Sequence, residues 1–167
     1  MTEIRIPKQL TSSELTQLAD LLVATVADGA SVGYLPPLPW AKAVAYWQKA
    51  IKPHTVLLLA ETDGRVSGTA QLALESRPNG LHRAEISKLM VAPAFRRRGI
   101  GRALMAALET EARDRGRTLL ILDTRAGDTA NDLYRSLAYI EAGRIPAYAL
   151  SAAGVLEDTV LYYKTLD

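Results

Sequence analysis

Arg96-Arg97-Arg98-Gly99-Ile100-Gly101 brings three cations and two glycines together just ahead of an amphipathic stretch. The chemistry this suits is the binding of a small polyanion. Glycines at 99 and 101 carry no side chain that would hold a ligand away from the backbone. A helix starting here would present unpaired N–H groups at the positive end of its dipole. Such a turn can wrap a diphosphate with backbone donors, and the arginines add charge and forked donors. A solvated helix entry with exposed arginines is the competing reading, and for the isolated hexapeptide the two are comparable. The strand before it and the helix after it favour the anion site.

Other phosphate motifs do not fit. No Gly-Lys-Ser/Thr is present, which argues against a nucleoside triphosphatase loop. Gly99-Ile100-Gly101 is followed by Arg102, Ala103 and Leu104, so the third small residue of a dinucleotide fingerprint is missing.

The elements that must position this turn follow from apolar spacing. Residues 3–6 read as a first strand. Thr11-Ser12-Ser13-Glu14 reads as a capping box, followed by Leu15, Leu18, Leu22 and Val26 at helical spacing. Prolines 36, 37 and 39 delay a second helix until about Trp40, with Val44, Trp47 and Ile51 as its apolar face. Residues 56–60 form a short apolar strand, and Asp63-Gly64 is a hairpin turn into an alternating partner at 66–74.

After the turn Pro78-Asn79-Gly80, a strand spans residues 83–91. Its alternation slips at Leu89-Met90-Val91; a bulge and plain two-sided burial both explain the slip. Ile100, Leu104 and Leu108 line one side of the next helix. Glu109 with Arg113 and Glu111 with Arg115 are expected as i,i+4 pairs on its solvent side. A strand at 119–122, a short helix around Ala130 to Leu137, and strands near 142–150 and 159–166 complete the chain. The expected class is α/β, with one mixed, mainly antiparallel sheet of about seven strands flanked by about four helices.

Composition bounds the rest. A chain of 167 residues fits one domain over residues 1–167. It has no cysteine, which removes disulfides, thiolate metal sites and a cysteine nucleophile, and fits a reducing cytoplasm. No metal site is expected. The net charge of +2 is small for a nucleic-acid-binding domain, and no apolar run is long enough to span a membrane.

Arg-x-x-Gly-x-Gly at residues 96–101, after the strand Ala84-Glu85-Ile86-Ser87-Lys88-Leu89-Met90-Val91, resembles the GNAT family of N-acetyltransferases. The resemblance covers nearly the whole chain in element order and is strongest over residues 83–139. It implies a GNAT fold and acetyl-CoA as donor co-substrate, held in a cleft where the strand before the turn splays from its neighbour. Backbone groups of Leu89, Met90 and Val91 would hold the acetyl and pantetheine portion. Arg96, Arg97, Arg98, Gly99, Ile100, Gly101 and Arg102 would hold the pyrophosphate. Asp132-Leu133-Tyr134-Arg135-Ser136-Leu137-Ala138-Tyr139 is similar to the family's Leu-Tyr-x-x-x-Gly-Phe, with Leu-Ala-Tyr closing it instead. By that likeness Tyr134 is the acid that protonates the CoA sulfur. Where many members carry a pantetheine-contacting asparagine, this chain has Gly127, and Asn131 does not inherit the role.

Removing a proton from the acceptor ammonium needs a base. Glu85, on the strand leading to the acetyl site, and Asp123, at the end of the facing strand, are the candidates; His82 is a weaker one. Each carboxylate alone has an equally good reading as a salt-bridging or capping residue. Ser31, Tyr34 and Asn79 are the expected acceptor contacts. A narrower resemblance, in residues 29–34, 78–81, 122–127 and 162–166, is to the tabtoxin-resistance acetyltransferases. It implies a small-molecule primary amine, amino acid-like or a β-lactam antimetabolite, as acceptor. Acetylation of a protein N-terminus or lysine, and a non-catalytic acyl-CoA sensor, are the competing functions. Relatives of this kind often form homodimers, and the last two strands are the expected interface.

Overall fold

In the computed structural model, which describes residues 1–167, the chain opens with β1 (Thr2–Arg5), α1 (Ser12–Ala27) and α2 (Trp40–Gln48). β2 (Thr55–Thr62) and β3 (Arg65–Leu74) make a hairpin. β4 (Arg83–Val91) leads into α3 (Ile100–Asp114), and β5 (Leu119–Arg125) into α4 (Ala130–Ser136). β6 (Ile140–Leu150) and β7 (Leu156–Thr165) form the last hairpin. The strands make one seven-stranded sheet in the order β1-β2-β3-β4-β5-β7-β6. Every neighbouring pair is antiparallel except β4 and β5. The expected α/β architecture is thus present.

Local chemistry explains the starts and stops. The Thr11 side chain accepts from the Glu14 N–H at 3.2 Å, and the Glu14 carboxylate accepts from the Thr11 N–H at 2.7 Å, so the capping box forms. Asp63 and Gly64 both take positive φ, 52° and 72°, as a tight two-residue hairpin turn demands. Gly116, with φ 69°, lets the chain leave α3.

Each face of the sheet has its own core. Leu18 and Leu22 of α1 and Trp47 of α2 pack with Leu57, Leu59 and Met90 on one face. Ile100, Leu104 and Leu108 of α3 pack with Leu58, Leu72 and Leu120 on the other. Gly68 of β3 lies under α3, and a Cβ there would stand 2.9 Å from the Met90 carbonyl oxygen and 3.1 Å from Ile100. Its bare backbone allows α3 to sit close beside the end of β4.

Several expectations change. Glu109 does not face solvent: it is 8% exposed, and Lys164 of β7 donates to both its oxygens, at 2.8 and 2.9 Å. Burial under β7 makes this the dominant partner, with Arg113 only at 3.9 Å. Ile51 is exposed, and Ala43 joins Trp47 as the buried stripe of α2. The last two strands start earlier than their apolar spacing suggests, because the pairing between them continues through Ile140 and Glu141 of β6 and Leu156 and Glu157 of β7. No helix is long and apolar enough to cross a membrane.

The slip in β4 is a bulge. Met90 pairs with Thr69 and Ser87 pairs with Gln71, so Lys88 and Leu89 together oppose Ala70 alone. Lys88 takes the left-handed φ of 54° that absorbs the extra residue.

Candidate active site

The cleft arises because β4 and β5 stay paired only briefly. Arg83 pairs with Leu119, Ala84 with Leu120 and Glu85 with Ile121, and there the parallel ladder ends. β5 continues along β7 as far as Arg125, while β4 follows β3 around the bulge. Bulges bend the strand that carries them. Leu89, Met90 and Val91 all lie beyond the last pair, where the edge of β4 towards β5 has no strand partner.

At the end of β4 the chain makes one turn at Pro93–Phe95 and enters the arginine-glycine segment. Arg97 and Gly99 both have left-handed φ, 63° and 80°. Gly99 caps α3 without a side-chain acceptor, and the first turn of α3 holds no acidic residue. No backbone carbonyl accepts from the N–H groups of residues 97–102. A curved run of free donors at a helix N-terminus is an anion cradle, so the segment fits a diphosphate.

Its side chains are not equivalent. Arg97, Arg98 and Gly99 are exposed. The Arg98 guanidinium stands 5.4 Å from the Phe95 ring centroid. Arg96 is engaged elsewhere, donating to the Asp28 carboxylate at 2.9 Å and to the Val91 carbonyl at 3.2 Å. Through these bonds the Arg96 side chain ties the end of α1 to the turn. Arg102 donates to Ser136 Oγ at 2.7 Å, joining α3 to α4. The Ile100 side chain is buried, which leaves only its N–H facing the turn.

Tyr134 of α4 packs into the core on the α3 face of the sheet. It is 6% exposed and packs against Tyr139 and Tyr162. Burial above all, then the Asp123 and Asp128 carboxylates and Tyr162, pushes its phenol up to about 12. The hydroxyl is therefore protonated at neutral pH. Ala138 adopts a left-handed φ of 64°, the conformation a glycine takes without strain, and this lets the Tyr139 N–H close onto the Tyr134 carbonyl at 3.0 Å. Asn131 is a structural residue: its amide donates to the Arg125 and Asp128 carbonyls, and its oxygen accepts from the Tyr162 hydroxyl at 2.8 Å.

On the opposite face of the sheet stand Glu85 and Asp123. Glu85 is level with Ile121, and Asp123 follows two residues later, so strand alternation gives all three the same face. Asp123 accepts from the Thr159 hydroxyl at 2.9 Å. The bulge turns Lys88 to this side too, with its ammonium 5.6 Å from the Tyr46 ring centroid. Burial pulls that ammonium below the ordinary lysine value, against the opposing pull of Asp123 and Glu85. Tyr46 donates to Gln71 Oε1 at 2.7 Å. Lys88, Tyr46 and Gln71 were not foreseen; the irregular alternation of β4 was the only signal for Lys88.

Beside this face lies a cavity of about 250 Å³ between residues 29–36 and the β6–β7 hairpin. Ser31 and Tyr34 line it, together with Arg125, Tyr148, Glu157 and Asp158. Thr159 also lines it and links it to Asp123. Asn79 is not brought here, contrary to expectation. It precedes β4, and the His82 carbonyl at that end accepts from the Thr118 and Leu119 N–H groups. β4 and β5 start together there, whereas the cleft opens where they part. His82 is excluded for the same reason. No group of His, Asp and Glu side chains is placed to hold a metal ion.

Residues 21–139 match the profile of the acetyltransferase (GNAT) family. An uncharacterized N-acetyltransferase in the hisH-hisA intergenic region of Azospirillum brasilense is 32% identical over 130 residues, 75% of this chain and 77% of that protein. Aminoglycoside N(6')-acetyltransferase type 1 of Klebsiella aerogenes is 32% identical over 98 residues, 57% of this chain and 62% of its own length. The ribosomal-protein-alanine N-acetyltransferase of Brucella melitensis superposes with a TM-score of 0.82 at 26% identity, covering 98% of this chain and 99% of that one. With the splayed strands, the anion cradle and the α/β sheet, these likenesses assign the chain to the GNAT family, as an acetyl-CoA-dependent N-acetyltransferase.

Proposed function

We propose that the chain transfers the acetyl group directly to a primary amine of a small molecule, with donor and acceptor bound together. The observation that carries this reading is the two-sided cleft. The anion cradle and Tyr134 lie on the α3 and α4 side, and Glu85, Asp123 and the cavity on the other. No cysteine is present to carry the acetyl group between two half-reactions.

Acetyl-CoA, when bound, supplies an activated thioester. The free N–H groups of residues 99–102 and the Arg97 and Arg98 guanidiniums hold its pyrophosphate, and the unpaired edge of Leu89, Met90 and Val91 aligns the pantetheine. Glu85 and Asp123 receive the acceptor ammonium, and one of them takes its proton. Tyr134 gives its phenolic proton to the departing sulfur. Ser31 and Tyr34 contact the remainder of the acceptor.

A cavity walled by residues 29–36 and the last hairpin suits a compact ligand. The likeness to a ribosomal-protein-alanine acetyltransferase favours a second reading, acetylation of a protein N-terminus. That acceptor needs an open groove in place of the walled cavity. The resemblance to tabtoxin-resistance enzymes adds β-lactam amino acids to the acceptor classes. One acetyltransferase domain over residues 1–167, cytoplasmic residence and a homodimer through the last two strands complete the proposal.

The test is a CoA-release screen across monoamines, polyamines, aminoglycosides, amino acids, β-lactam amino acids and peptides bearing a free N-terminus. Saturable release with a small amine supports the proposal. Release with peptides alone would replace it with the second reading. Acetyl-CoA binding without amine-dependent release would mark a sensor.

A further inference from the structure

Two donors on the acceptor side of the cleft have no partner. The first is Lys88, whose ammonium is half-buried without any hydrogen bond and feels Asp123 and Glu85 only through space. The second is Gln71. It is 6% exposed, and its Nε2 is buried with nothing to donate to. Gln71 lies opposite Ser87, the residue before Lys88, and Tyr46 links the pair. The Tyr46 hydroxyl fixes Gln71 Oε1 at 2.7 Å, which leaves the amide nitrogen as the free end, and the Tyr46 ring underlies the Lys88 ammonium at 5.6 Å. The loop carrying Ser31 and Tyr34 crosses above, since a Cβ on Gly33 would stand 3.8 Å from Lys88 Nζ.

Unpaired buried donors are unfavourable, and an unpaired ammonium more so. A ligand carboxylate beside the half-buried ammonium satisfies Lys88. A plain alkylammonium approaching Glu85 and Asp123 meets Lys88 as a like charge. When a carboxylate sits one carbon away from the amine, that repulsion becomes an attraction. We infer that the acceptor carries a carboxylate beside its amine, and that Lys88 binds it and so selects α-amino acids and their analogues over plain amines. The inference rests on the small-molecule reading above and narrows its substrate class. Lys88 is a specificity residue here, and the proton transfers stay with Glu85, Asp123 and Tyr134.

The experiment compares kcat/KM for CoA release with the proteinogenic L-amino acids, a set of β-lactam amino acids, the α-carboxamide of each, and simple alkylamines. It uses the wild type, Lys88→Met and Lys88→Arg, with melting-temperature shifts by the same compounds measured in parallel in the presence of CoA. The wild type should favour a carboxylate over its carboxamide by about 30-fold or more, the scale of truncating one partner of a buried charge pair. Lys88→Met should bring that ratio within about threefold of unity, and Lys88→Arg should restore part of it. Equal use of both acceptors by the wild type overturns the inference. So does an equal loss of kcat for both in Lys88→Met, which would make Lys88 a base. Turnover of carboxyl-free amines alone also overturns it while leaving the acetyltransferase reading intact. If nothing is turned over, a Lys88-dependent melting shift by amino acids but not carboxamides keeps the carboxylate site and removes the small-molecule reading. No such shift removes the site.

Discussion

Glu85 is level with Ile121 in the last pair that joins β4 to β5, and from there the two strands separate. A carboxylate thus stands at the root of the cleft, on the face where Asp123 follows Ile121 by two residues. Glu85→Gln and Asp123→Asn should each change the acidic limb of the kcat/KM profile, with a loss of roughly 10²–10⁴-fold in whichever variant removes the base. Profiles measured from pH 5 to 9 check this. Unaltered limbs in both variants would remove the pair from proton transfer.

Tyr134→Phe keeps the ring and its contacts with Tyr139 and Tyr162 and loses only the hydroxyl. Turnover should fall by roughly 10²–10⁴-fold, as expected for a lost general acid, while acetyl-CoA affinity stays within about threefold. Steady-state rates and calorimetric titration separate the two. Matching losses in both would make Tyr134 a binding residue.

The same phenol predicts a pH dependence of stability. Its proton is held up to about 12, mainly by burial, against an ordinary 10. Between those values the native state keeps a proton that the unfolded chain has released, so stability is intact below about pH 10 and falls as pH rises towards 12. The loss is roughly 2–3 kcal/mol at most. Denaturant titrations at pH 9, 10 and 11 should show the decline, and Tyr134→Phe should flatten it. A wild-type slope that the variant retains in full would assign the effect elsewhere, with Tyr139, raised by burial beside Glu109, as the next group.

The arginines should separate by partner. Arg97→Ala and Arg98→Ala should weaken CoA binding, more at low salt than at high. Arg96→Ala should act chiefly by loosening residues 28–34, since its ion pair with Asp28 is half-exposed. Its stability cost should stay below about 1 kcal/mol. Melting shifts by CoA, read across salt concentrations, distinguish the two groups. A salt-dependent loss in Arg96→Ala as large as the others would return that side chain to the pyrophosphate.

Ala138 and Gly68 make opposite predictions. Ala138→Gly should stabilise the fold by about 0.5–1 kcal/mol, because an alanine is held at a left-handed φ of 64°. Gly68→Ala should destabilise by about 1–3 kcal/mol, because its Cβ would meet the Met90 carbonyl at 2.9 Å. Chemical denaturation of the two variants checks both signs.

Much of the architecture was legible from local order. The capping box at Thr11, the Asp63-Gly64 turn, the β4 limits and the helix after Gly99 each depend on neighbours within a few residues, and those interactions are written along the chain. The arginine-glycine turn belongs to this class, because a helix N-terminus makes its free donors by geometry alone. Tyr134 could be named from its surrounding residues; its raised proton affinity came only with burial and the nearness of Asp123.

What remained was decided by pairing between distant segments. Glu109 looked solvent-facing until β7 brought Lys164 to it, 55 residues along the chain. Asn79 lost its expected place because parallel β4 and β5 begin together at its end of the sheet and part at the other. Arg96 pairs with Asp28, 68 residues away along the chain, because folding lays the end of α1 beside the turn. Lys88 reached the face of Glu85 and Asp123 because one extra residue in β4 had to be absorbed against β3, a count set by register between two strands and invisible in either alone. By itself the sequence determined the strand, turn and helix that form the anion cradle, since those forces act locally. The cluster proposed to meet the acceptor was decided by tertiary structure, because burial and charge there come from β3, β4, β5, α2 and the loop of residues 29–36, which only folding brings together.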